Sequence, residues 1–220
     1  MNEPDNFFAG LSHPTRFRDA VQRFDAANAA DPNTEDTDGR AWPRELLYAH
    51  RLTAWVLKLC PHPSEELRLA ARSQHLCRWM IPRQSYPMTR PGYLKWRAAL
   101  KIFHARKAGE ILRETGYPEE VITRVQALNL KKDFPHDPEG RVLEDALCLV
   151  FLEFQFGDLA RRSPDEKMIS ALQKSWHKMT PAGQAEAVKL PLGPAETRLL
   201  ERALSPEAAT PPAQSAPGES

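Results

Sequence analysis

Cysteine is scarce in this 220-residue chain and neither sign of charge predominates. The three cysteines, Cys60, Cys77 and Cys148, stand alone inside apolar runs, without the paired spacing of a metal or disulfide framework, and read as buried reduced thiols. The 30 basic residues nearly cancel the 29 acidic ones, so no bulk field draws the chain to nucleic acid or to a membrane. Long hydrophobic runs are missing: the longest, ALCLVFLEF, is interrupted by Glu153 and is too short to span a bilayer. The N-terminal MNEPDNFF is acidic and lacks the basic and apolar regions of an export signal. These absences predict a cytoplasmic protein with no membrane partner. Alternating strand patterns bounded by hairpin turns are not seen either, which points to an all-α fold.

What is present is helical periodicity punctuated by prolines. The pattern predicts helices over residues 14–29, 43–60, 64–81, 93–115, 118–132 and 141–156, with shorter peripheral ones over 163–179, 181–189 and 194–204. Ser64 should cap the third, Gly116 should end the fourth, and Pro43 and Pro118 sit at favourable first positions. The sixth is apolar almost all round and is expected to be central. One domain is expected over residues 1–205, followed by a disordered Pro, Ala and Ser-rich tail at 206–220.

The stretch AARSQHLCRW, residues 70–79, carries His75 in the middle of the predicted third helix. On the second helix Leu46, His50, Ala54 and Leu57 share one stripe, on the fourth Arg97, Leu100, His104, Ala108 and Ile111 do, and on the sixth Asp145 lies among Val142, Leu149 and Leu152. His75 shares its stripe with Arg68, Arg72 and Trp79, at the border of a polar side. A lone inward histidine is more often a satisfied core group than a ligand, and Asp145 can be paired with Arg72 or Arg97. Three histidines and one acid on four helices nevertheless form the kind of set from which helical folds build metal sites. His13, His62, His136 and His177 fall in loops or peripheral helices and are expected to be exposed.

The segment HARKAGEILRETGYPEEVITRVQALNL, residues 104–130, resembles the middle of the HD-domain phosphohydrolase superfamily, and LLYAHRL, AARSQHLCRW and VLEDALCLVFLE resemble its neighbouring motifs in the expected order. More closely, SQHLCRW, IPR, YP, GYLKWR and LEDALCLVFLE resemble the family catalogued as domain of unknown function 4202, over residues 14–160. The superfamily resemblance implies an HD-like multi-helix domain in which His50, His75 and Asp145 hold one divalent metal ion. His104 would be a fourth ligand or, with Glu144, would handle protons. Arg78, Arg83, Arg97 and Lys131 would hold the phosphate of a small phosphorylated ligand. The chain departs from the pattern at Leu76, where the superfamily's second motif has an aspartate, so a two-metal centre is not expected. Three classes follow: a metal-dependent phosphohydrolase acting on a nucleotide or other small phosphate ester, a degenerate module that binds an anion such as a nucleotide or RNA end without turnover, and a structural helical protein.

Overall fold

A computed structural model describes residues 5–205; the expected tail at 206–220 lies outside the described residues. The fold is all-α apart from one small hairpin. The chain forms two compact units that divide between Val150 and Phe151.

The first unit begins with helix α1 (Pro14–Ala29), a hairpin of β1 (Thr34–Thr37) and β2 (Arg40–Pro43), and helices α2 (Arg44–Leu59) and α3 (Glu65–Ser73). It continues with α4 (Arg90–Glu114), α5 (Glu119–Leu130) and α6 (Pro138–Val150). Its core is built from Phe17 and Phe24 of α1, Leu47, Leu52 and Val56 of α2, Leu67 and Leu69 of α3, Leu112 of α4, Ile122 and Val125 of α5, and Leu143 and Leu149 of α6. The second unit comprises a π-helical segment (Phe151–Gln155), α7 (Phe156–Ala160), α8 (Asp165–Lys178), α9 (Pro181–Ala187) and α10 (Pro194–Leu204), in which α8 packs on α10.

Local chemistry explains most boundaries. Ser64 Oγ accepts from the Leu67 amide at 3.0 Å, so the predicted cap is present. Ser64→Ala should lower the unfolding free energy by about 1 kcal/mol, seen as a lower urea midpoint with an unchanged slope. Gly116 takes a positive φ of 77° and Tyr117 N–H donates back to Leu112 O, closing α4 as a Schellman turn. Gly109 lets α5 approach α4: a Cβ there would lie 2.4 Å from Gln126 Nε2, which donates to Ala105 O.

Three differences from the sequence reading matter for the site. The polar loop before α2 contains a hairpin, turned by Asp38 and Gly39, both with positive φ, as a tight primed turn requires. The third helix stops at Ser73 instead of running to residue 81, and His75 lies in the irregular turn that follows. Long-range hydrogen bonds hold that turn. Cys77, at φ 55°, donates its amide to Asn28 Oδ1 at 2.9 Å, and Leu76 O accepts from His104 Nδ1 at 2.8 Å. Finally, Arg68 and Arg72, expected at the border of a polar side, belong to the interior: Arg72 is 1% exposed. Arg68 is held there by the carbonyls of Phe7, Ala9 and Pro63.

Candidate functional site

The expected stripe on α2 is only partly inward: Leu57 is buried, Leu46 and His50 are half-buried and Ala54 is exposed. The strongly buried face instead carries Glu45 and Tyr48, one turn apart at the start of the helix. Tyr48 stacks on the His75 ring, with centroids 4.0 Å apart and planes 12° from parallel. His75 Nδ1 lies 3.4 Å from Glu45 Oε2. From α4 comes His104, 4% exposed, its ring centroid 5.7 Å from that of His75.

The protonation pattern follows from these contacts. A carbonyl can only accept, so His104 Nδ1 carries a proton toward Leu76 O, and the neutral ring offers Nε2 as an acceptor. That Nε2 is buried without a hydrogen-bond partner. Burial, then the neighbouring His75, pushes His104 down to about 3. His75 is also pushed well below the ordinary imidazole range, first by burial and then by the positive charges of Arg78, Arg97 and Lys131. Burial pushes the Glu45 carboxyl up to about 7, against the attraction of Arg78 and Arg44. The Tyr48 hydroxyl is raised by burial and by Glu45. At neutral pH the cluster therefore contains two neutral imidazoles and a carboxyl close to its midpoint.

Cations surround it. Arg78 leaves the turn after His75 and lies over the Trp96 ring, 4.8 Å from its centroid. Burial lowers its affinity for its proton and Glu45 restores part of it. Arg97 is exposed on α4, and neither arginine makes an ion pair among the described residues. Lys131 sits in the left-handed conformation at the end of α5 and pairs with Glu144 of α6, a buried carboxylate.

The structure thus brings together His75 and His104 from the expected residues, with Arg78, Arg97 and Lys131 near enough to act on His75 electrostatically and Glu144 paired with Lys131. Glu45 and Tyr48 were missed, because an acid in a first helical turn reads as a dipole partner and a tyrosine in an apolar run as core. Arg83 is placed differently from the expectation: its guanidinium donates to the carbonyls of Tyr86, Pro87 and Thr89, so it clamps the loop before α4 and has little left for a phosphate.

His50 has other neighbours. Its Nε2 accepts from Arg72 at 3.0 Å, while the same guanidinium makes two 2.7 Å bonds to Asp25. Asp145 is buried on α6, which packs against α2. Among the described residues no group of three or more His, Cys, Asp or Glu side chains is arranged to hold a metal ion. A guanidinium on the His50 lone pair is the opposite of what a cation would need, so the donor set does not fit the expected divalent ion. His13, His62, His136 and His177 are exposed, as expected. A hollow at the start of α1, lined by Ser12, His13, Pro14, Thr15, Arg16 and Asp19, shares no residue with the histidine cluster.

These features define an all-helical protein with a cation-rimmed histidine and carboxyl cluster. The model of the family described as Domain of unknown function (DUF4202) matches residues 18–200, and the chain belongs to that family. No curated protein and no solved structure matches it. Among the described residues no helix is long and apolar enough to cross a membrane.

Proposed function

We propose that the cluster binds the phosphate of a small phosphorylated ligand, in a module that has no resident metal. The observation that carries this reading is that Arg78, Arg97 and Lys131 act together on one neutral imidazole, His75, while neither Arg78 nor Arg97 makes a direct ion pair among the described residues, Glu45 acting on Arg78 only at longer range. Arginine's planar fork suits a phosphate's paired oxygens, and the half-buried setting of Arg78 strengthens each charge-assisted bond. His104 Nε2 supplies an acceptor for a ligand hydroxyl. The resemblance to the HD-domain superfamily supports a ligand of this class. Its metal chemistry is a poorer fit, because Leu76 replaces the second-motif acid and the His50 lone pair is engaged by Arg72.

Glu45 makes the reading testable. Once ionised it would repel a phosphate, so binding should draw a proton onto Glu45 and weaken as pH rises past about 7. That is the reverse of what titration of the phosphate itself would give, since its dianion gains charge over the same range. Calorimetry with inorganic phosphate, in the presence of a chelator, should show this fall between pH 6.5 and pH 8. Glu45→Gln should abolish the fall, and Arg78→Ala with Arg97→Ala should weaken binding at least tenfold, on the order of 1.4 kcal/mol. Phosphate binding that neither substitution alters, or none at all, rejects the proposal.

A hydrolytic reading of the same residues is favoured by one feature, a carboxyl near neutrality that can both give and take a proton. Release of phosphate from a panel of nucleotides and sugar phosphates, with and without added manganese, separates turnover from binding and metal-dependent turnover from both.

A further inference from the structure

The charge balance of the whole chain conceals a segregated stretch: no acidic residue occurs between Glu66 and Glu110, an interval that contains Arg78, Arg83, Arg90, Lys95, Arg97, Arg106 and Lys107. Helix α4 runs through it and is apolar on two sides. Its first half buries Trp96 and Leu100 on one side, and its second half buries Ala105, Ala108 and Leu112 on another. Over that first half the side away from Trp96 and Leu100 carries Leu94, 58% exposed, Ala98, and Ile102, 62% exposed, at i, i+4 and i+8, a continuous ridge about 12 Å long. On a helical wheel Arg90 and Arg97 flank this ridge on one side and Lys95 on the other. All three are exposed and make no ion pair among the described residues. Met88, 75% exposed, immediately precedes the capping Thr89. A surface helix ordinarily turns a polar face to water; this one turns an apolar ridge bordered only by positive charge.

We propose that the exposed side of the first half of α4 lies on a membrane surface rich in anionic lipid, with Leu94, Ile102 and Met88 entering the interface and Arg90 and Lys95 meeting the headgroups. The helix would rest in the plane of the bilayer and cross nothing. Charge selects this occupant over a second copy of the chain, which would bring the same cations to the contact. Aliphatic side chains at the centre of the face select it over a nucleic acid, whose bases stack on aromatic rings.

The test is sedimentation of the full chain with vesicles of phosphatidylcholine and phosphatidylglycerol in a three-to-one ratio, against vesicles of phosphatidylcholine alone. Binding should be confined to the anionic vesicles and should be lost at high salt. Arg90→Gln with Lys95→Gln should weaken it by about fivefold for each charge removed. Leu94→Gln with Ile102→Gln should weaken it at least tenfold. These positions are exposed, and unchanged circular dichroism and melting would show that each variant folds. No binding to anionic vesicles, equal binding to neutral ones, or insensitivity to both double variants overturns the proposal. So does capture of a short RNA or an acidic peptide through this face without vesicle binding.

Discussion

Arg72→Met should lower the unfolding free energy by about 3–5 kcal/mol. Arg72 is 1% exposed and makes two 2.7 Å bonds to Asp25 and one 3.0 Å bond to His50, so α3 is tied through one guanidinium to α1 and α2. Methionine fills much of the same volume and keeps the apolar stem, so the loss reports the polar contacts and not a cavity. It removes the two bonds that Arg72 gives the Asp25 carboxylate and the one it gives His50 Nε2. Arg72→Lys keeps the charge but cannot form the paired bonds to Asp25, and should recover only part of the loss. Adding Asp25→Asn to Arg72→Met should restore stability, because the stranded charge is removed with its partner. Urea unfolding of the single and double variants measures each value. A loss below about 1 kcal/mol for Arg72→Met would mean that this guanidinium does not tie the helices together.

This guanidinium also shows where the sequence could and could not be read. The helices, the Ser64 cap, the Gly116 stop and the outward histidines follow from patterns confined to a turn or two, and the structure has them. The end of α3 does not follow. Residues 74–81 contain no glycine or proline and continue a helical pattern, yet the helix stops because Asn28, 49 positions away from Cys77, and His104, 28 positions away from Leu76, take the backbone groups of the turn. That stop re-aims His75 toward Glu45 and Tyr48, and sets it apart from the contacts that His50 makes with Arg72 and Asp25. The hairpin at residues 34–43 was missed for a different reason. Its Asp-Gly turn signal lies between strands of only four residues with weak polar alternation, below what periodicity can detect. Spacing along the chain thus placed His104 among apolar neighbours and His75 at the border of a polar side. Only tertiary contacts determined which carboxyl met them.

The Glu45 carboxyl should control how the protein responds to acid. His104 is held down to about 3 in the folded chain, whereas an unfolded histidine takes its proton near 6.5. Below pH 6.5 the unfolded state therefore binds more protons at this residue, and folding loses about 1.4 kcal/mol for each unit that pH falls. His75, also depressed, acts in the same direction. Glu45 has the opposite sign. Its folded value of about 7 lies above the ordinary 4.5, so as pH falls from 7 toward 4.5 the folded state gains the proton first and is stabilised. Between pH 7 and pH 5 the contributions of His104 and Glu45 are each about 2–3 kcal/mol and nearly cancel, leaving His75 to tip the balance toward loss. Glu45→Gln removes the compensating group and keeps an oxygen facing His75 Nδ1. The variant should be more stable than the parent at pH 8, where an ionised buried carboxylate is costly, and should lose about 2–3 kcal/mol more than the parent on going from pH 7 to pH 5. His104→Gln should show the reverse, a shallower decline in acid. Urea titrations of the three proteins at pH 8, 7 and 5 give these differences directly. Parallel pH dependence in the parent and Glu45→Gln would mean that Glu45 ionises as an ordinary carboxylate, and would remove the basis for proton uptake on phosphate binding as well.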